Sequence, residues 1–181
     1  MKTIRSFVAV DLPTKFRPDI ARIERELDTP GLKLVRPEII HVTLKFLGDV
    51  PEERIDAVSD ALRNVKVSPF QAKVGGMGAF PGKSVRVVWL GLQGNFEELQ
   101  KQVEEALIPF GFESEERKFT PHLTLGRVAR PNPETSKLIS AKISKLSEIQ
   151  IGEFTVDRFH LKKSTLTPGG PIYEDLTEFA L

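Results

Sequence analysis

The sequence predicts an α+β protein. It has two pseudo-symmetric β-α-β-β-α-β lobes, whose mainly antiparallel sheets face a central cleft with the helices outside. Three observations lead there. Apolar residues switch between alternation and helical spacing in the same order in each half of the chain. The tetrapeptide pattern His-x-Thr-x occurs twice, as His41-Val42-Thr43-Leu44 and His122-Leu123-Thr124-Leu125. The step from Val8 to His41 also matches that from Val88 to His122 to within one residue. A repeated supersecondary unit accounts for all three. The expected organisation is a single bilobal domain over residues 1–181, with repeat-related halves roughly 1–80 and 84–181.

Element by element, Ile4 to Leu12 is apolar and β-branched and reads as a strand. After Pro13, Phe16, Ile20, Ile23 and Leu27 recur at helical spacing until Gly31. Two short strands follow, Leu32 to Val35 and Ile39 to Leu47, the second carrying His41 and ending at Gly48-Asp49. Pro51 opens a helix with Ile55, Val58, Leu62 and Val65 inward, and Phe70 to Phe80 is strand-like but rich in glycine. The second half begins with a strand from Ser84 to Leu92. Asn95, with Glu98 three residues on, resembles a cap for a helix burying Phe96, Leu99, Val103, Leu107 and Phe110. His122 to Val128 is a strand, Asn132-Pro133 opens a helix through Leu138, Ile143 and Leu146, Ile149 to Lys162 is one strand and Ile172 to Leu181 the last.

Bulk composition narrows the function. A net charge of +1, from 26 basic and 25 acidic residues, provides no global field for gripping a long nucleic-acid backbone. The chain has no cysteine, which removes disulfides, thiolate catalysis and Cys-based zinc sites. The run Phe7 to Val10 is too short for a membrane span or a signal-peptide core, so a cytoplasmic protein without a membrane partner is expected. A monomer is the default assembly.

The two motifs carry the chemistry. Residues i and i+2 share a strand face, so each histidine projects beside its threonine while Val42, Leu44, Leu123 and Leu125 point to the core. Imidazole titrates near neutral pH, so one histidine can accept a proton while the other donates one, with no metal or other cofactor required. Threonine hydroxyls can donate to the oxygens of a phosphate held between them. By the same parity Lys45 joins His41 and Thr43 as a substrate-attracting cation, and Phe46 joins the core. Arg158, His160 and Lys162 share a face that reads as solvated, and Tyr173 is either a packing residue or a stacking platform for a base.

Ile39 to Gly48 and Thr120 to Arg127, around the two motifs, resemble the 2H phosphoesterase superfamily. Together with Arg5 to Leu12, Leu161 to Leu166 and Gly170 to Tyr173, they resemble more closely its RNA 2',3'-cyclic phosphodiesterases, first described as 2'-5' RNA ligases. That resemblance implies a bilobal fold and metal-free hydrolysis of 2',3'-cyclic phosphates, on RNA ends or short oligonucleotides, to 2'-phosphomonoesters. It makes His41 the general acid toward the departing 3' oxygen, His122 the general base toward water, and Thr43 and Thr124 phosphate clamps. Arg127 falls where the family carries a phosphate-contacting arginine, yet strict alternation turns it away from Thr124, so a strand end or bulge is required. The competing readings are a zinc site, for which threonines are poor ligands, a non-catalytic RNA or nucleotide-binding module, and 2'-5' ligation as the reverse reaction.

Overall fold

The computed structural model describes residues 1–81 and 84–181. In chain order its elements are β1 (Thr3–Asp11), α1 (Arg17–Leu27), β2 (Leu32–Leu34), β3 (His41–Pro51), α2 (Ile55–Leu62), β4 (Phe70–Phe80) and β5 (Val87–Gln93). Then come α3 (Phe96–Leu107), β6 (His122–Val128), α4 (Pro133–Leu146), β7 (Gln150–Val156), β8 (Arg158–Thr167) and β9 (Gly170–Ala180). The apolar spacing read from the sequence is what the helices bury: Ile20, Ile23 and Leu27 on α1, Val58 and Leu62 on α2, Phe96, Leu99, Val103 and Leu107 on α3. Gly111, at φ +84°, takes the left-handed conformation that ends the α3 segment. Asn132 caps α4 by accepting a 2.9 Å hydrogen bond from the Thr135 amide.

Every strand pair is antiparallel, and the strands run β7-β4-β5-β6-β3-β1-β8-β9, with β2 beside β6. The fold is α+β in two lobes, as expected, but the lobes share one sheet, joined by the single pair Val42↔Leu123 between β3 and β6. Strands cross between the sequence halves. β4 leaves the first half to pair with β5 and β7, while β8 and β9 return from the second half to pair beside β1. Local periodicity cannot show such partner choice, because each strand carries the same alternation whichever neighbour it finds.

Several local expectations change. β3 runs on past Gly48-Asp49 to Pro51, and α2 is preceded by a 3-10 turn at Glu52–Arg54. The stretch Ile149 to Lys162 divides at Asp157 into β7 and β8, each with its own partner. Asn95 makes no side-chain cap, and Leu138 is exposed while Ile139 takes the core position on α4.

The main departure is a pair of bulges. In β3, Val8 faces Lys45 and Ala9 faces Thr43, so Leu44 is an extra residue. In β6, Val88 faces Gly126 and Trp89 faces Thr124, so Leu125 is the extra residue. An extra residue reverses the side on which everything beyond it projects. Leu44 and Lys45 are therefore both buried, as are Leu125 and Gly126, while Phe46 and Arg127 turn outward at matching positions five residues after their histidines.

Candidate active site

Where β3 and β6 meet, the antiparallel pair Val42↔Leu123 sets the His41 end of one motif beside the Thr124 end of the other. His41, Thr43, His122, Thr124 and Arg127 line one cavity of about 410 Å³. Arg127 reaches it through the β6 bulge. The β3 bulge has the opposite effect on the other parity assignment: Lys45 is turned into the interior, and Phe46, expected in the core, lines the cavity with 64% of its surface exposed. Sequence reasoning missed Phe46, although its step from His41 equals that of Arg127 from His122. The bulge in β6 that brings the arginine to the cleft has a counterpart in β3 that brings the phenylalanine. Arg5, Lys33 and Arg36 complete a basic lining.

The two imidazoles are held alike. Nδ1 of His41 donates to the Ile39 carbonyl at 2.9 Å, and Nδ1 of His122 donates to the Thr120 carbonyl at 2.7 Å. A carbonyl only accepts, so in each neutral ring the hydrogen is fixed on Nδ1 and the Nε2 lone pair is left for chemistry. Their surroundings then differ. Nε2 of His41 lies 2.9 Å from the Thr43 hydroxyl, which donates to it, whereas among the described residues Nε2 of His122 has no protein partner. Phe7 and Tyr173 pack on the His41 ring at 4.9 and 5.2 Å, and Phe80 packs edge-on against His122 at 5.2 Å. Desolvation pushes the proton affinity of His41 down; the Ile39 hydrogen bond and Asp11 pull it up, and Lys162 and Arg127 add to the downward push. Tyr173 is pushed up by burial, against the pull of Arg127 and Arg5, so its phenol keeps its proton.

Lys45 has a structural task. Its ammonium, 3% exposed, pairs with Glu104 on α3 at 2.9 Å and donates to the Glu113 carbonyl at 2.7 Å. Burial works to raise the Glu104 pKa, but the Glu115 amide and Lys45 overcome it and hold the carboxyl below its ordinary range. The lysine thereby ties the segment leading to His122 onto α3. His160 and Lys162 are also buried, against the expectation of a solvated face, while Arg158 stays exposed. Lys162 bridges Asp11 at 2.9 Å and Asp175 at 2.5 Å. Asp11, His160 and Asp175 are the one trio of metal-ligand type among the described residues. The ammonium already occupies the cation position between their carboxylates, so the cluster is a lysine clamp.

Paired histidines and threonines meet at the junction of two antiparallel half-sheets, an arrangement suited to phosphoester chemistry, and known phosphodiesterases match the chain throughout. The model of the 2'-5' RNA ligase superfamily matches residues 12–166, and the chain belongs to that family. An RNA 2',3'-cyclic phosphodiesterase of Archaeoglobus fulgidus is 42% identical over 180 residues, covering 97% of this chain and 99% of the relative. One of Methanocaldococcus jannaschii is 36% identical, covering 97% and 100%. Among solved structures, a Thermus thermophilus protein superposes with a TM-score of 0.81 at 29% identity, covering 98% of both chains. Escherichia coli LigT, complexed with 3'-AMP, superposes with a TM-score of 0.80 at 26% identity, covering 99% of both. No helix among the described residues is long and apolar enough to cross a membrane.

Proposed function

We propose that this chain hydrolyses the 2',3'-cyclic phosphate at RNA ends, leaving a 2'-phosphomonoester, with His122 as general base and His41 as general acid. The observation that carries the reading is the convergence of both motifs, with Arg127, on one cavity in which each imidazole presents Nε2. The names of the relatives support the same activity, and LigT supports a nucleotide-sized ligand. Nε2 of His122 takes a proton from water as its oxygen bonds to phosphorus. Thr43, Thr124 and Arg127 donate to the non-bridging oxygens, whose charge grows in the five-coordinate transition state. The bond from phosphorus to the 3' oxygen breaks, and that oxygen takes the proton from Nε2 of His41. In the free protein desolvation favours neutral His41, so the anionic phosphate supplies the charge that brings the imidazolium in. All these groups come from one chain, and none of the steps calls on a metal.

The same groups run the reverse reaction, with a ribose hydroxyl in place of water, and abundant water favours hydrolysis. The test is incubation with a 2',3'-cyclic-phosphate-terminated oligoribonucleotide in EDTA, resolving 2'- from 3'-phosphate products. The wild type should form only 2'-phosphate, and folded His41→Ala and His122→Ala should each lose roughly 10²- to 10⁴-fold in rate. Equal rates in either variant, or a requirement for added metal, would sink the mechanism. Tight binding without turnover would make the cleft a binding module.

A further inference from the structure

The pseudo-symmetry that makes the two histidines look interchangeable can be followed through the strand registers. β1 pairs with β3 as β5 pairs with β6: Asp11 faces His41 where Gly91 faces His122, and Ala9 faces Thr43 where Trp89 faces Thr124. One strand further out, Phe7 faces Lys162 of β8 where Val87 faces Phe80 of β4. The position held by Lys162 near His41 is therefore held by Phe80 near His122, and that phenylalanine packs on the His122 ring. The position of Asp11 is held by Gly91, where a Cβ would come within 2.8 Å of the Gly75 carbonyl oxygen, so no acidic side chain fits. The same position of the scaffold thus carries a fixed charge near one histidine and an aromatic ring near the other.

We propose that Lys162, clamped by Asp11 and Asp175, is the positioning residue that distinguishes the two histidines, its fixed ammonium making His41 the one that gives up a proton. The proposal rests on the proton-donor role assigned to His41 above. Lys162 and His41 line a second cavity, of about 540 Å³, which adjoins the reaction cleft along Ile39, Ile40, His41 and Tyr173. Lys162 is only 6% exposed, and its two carboxylates come from different strands, β1 and β9, so the charge cannot swing away. A cation beside an imidazolium weakens the ring's hold on its proton. Once the phosphate has drawn the proton in, the lysine favours its departure to the leaving oxygen.

The other charged or titratable groups around His41 are Asp11 on β1, His160 on β8, Tyr173 and Asp175 on β9, Arg127 on β6 and Glu38 in the turn before β3, with Arg17, Asp157, Arg158 and Glu178 further along the same cavity. Asp11 pulls in the opposite sense to Lys162 and Arg127 in the same sense. Removing Lys162 alone therefore leaves Asp11 to act with less opposition.

The chain has three histidines, so each imidazole can be followed by nitrogen NMR through a pH titration of the free protein. In Lys162→Met the midpoint of His41 should move upward while that of His122 stays, and Lys162→Arg should leave both near their wild-type positions. The limb of the kcat/KM profile governed by His41 should move with the NMR midpoint. A folded Lys162→Met whose His41 midpoint is unchanged or lower overturns the proposal, as does an equal shift at His122. If Lys162→Met fails to fold, Lys162→Met/Asp175→Asn removes opposite charges together. Asp11 then acts on His41 with no ammonium opposing it, so an upward movement is again expected, reduced by the loss of the Asp175 charge. If the wild type turns over no cyclic phosphate, the catalytic role falls with the assigned reaction, while the imidazole titration still supports or overturns the coupling.

Discussion

Replacing Lys45 by Met separates the two readings of this residue, a substrate-attracting cation and a buried structural one. The Lys45–Glu104 pair is 2.9 Å long, with side-chain exposures of 3% and 12%. At an effective dielectric of about 20 its gross attraction is about 6 kcal/mol, most of it offset by the desolvation of both ions. Truncating one partner does not recover that desolvation. It leaves the Glu104 carboxylate with the Glu115 amide and the Ser114 hydroxyl but no cation, and frees the Glu113 carbonyl, a loss of about 3–5 kcal/mol. The penalty depends on pH. Glu104 titrates lower in the folded than in the unfolded chain, so its stabilisation is complete above the unfolded carboxylate range and is lost as pH falls through the folded value. Urea unfolding should accordingly show the wild type and Lys45→Met far apart at pH 7 and converging in acid, with Lys45→Met/Glu104→Leu recovering much of the difference. The folded variant should keep kcat/KM within about tenfold of the wild type, because the ammonium lies outside the cleft. A stability loss below about 1 kcal/mol at pH 7, or a selective rise in KM with unchanged stability, would refute the reasoning.

Two further outcomes follow from the same geometry. Glu24 on α1 is 8% exposed, its Oε1 has no hydrogen-bond partner among the described residues, and burial, aided by Glu38, pushes its pKa up to about 7. Its neutral form is the one the fold prefers, so stability declines as pH rises from the unfolded carboxylate value through about 7. Glu24→Gln should raise the unfolding free energy at pH 8 by roughly 1–3 kcal/mol and change little at pH 4; a gain equal at both values would contradict it. Phe46→Ala should raise KM for a cyclic-phosphate oligonucleotide by about fivefold or more through lost stacking, with kcat nearly unchanged, and an unaltered KM would remove the ring from the substrate path.

Much of the scaffold is legible in the sequence because it rests on local rules. The i, i+3, i+7 spacing of Ile20, Ile23 and Leu27 specifies the buried face of α1, and Phe70 to Phe80 is β4 to the residue, despite its glycines. The motif residues are legible as well, since rare titratable groups repeated in one context carry their own signal. Alternation fails where a strand holds one residue too many. It puts Lys45 and Phe46 on the sides opposite to those they occupy because Leu44 is inserted opposite no partner, and a bulge leaves no trace in a pattern of apolar and polar letters. His160 and Lys162 read as solvated for a related reason: their cover consists of carboxylates, Asp11 from β1 at the other end of the chain and Asp175 and Glu178 from the neighbouring β9, and polar residues paired with polar residues look like surface.

The two bulges bear on how a duplicated motif becomes an enzyme with two unlike halves. The same insertion after each His-x-Thr turns the residue five positions beyond the histidine toward the cleft, and the chain places an arginine at one and a phenylalanine at the other. On the His122 side the guanidinium can meet phosphate oxygens beside the histidine proposed as the base. On the His41 side a flat apolar ring, in the place that matches Arg127, offers a surface for a nucleobase. A substrate whose phosphate favours one half and whose base favours the other enters in a single orientation. A pseudo-symmetric cavity can thus discriminate between the two oxygens of a cyclic phosphate, provided Arg127 and Phe46 stay on their present sides; exchanging them should invert or abolish the preference for 2'-phosphate product.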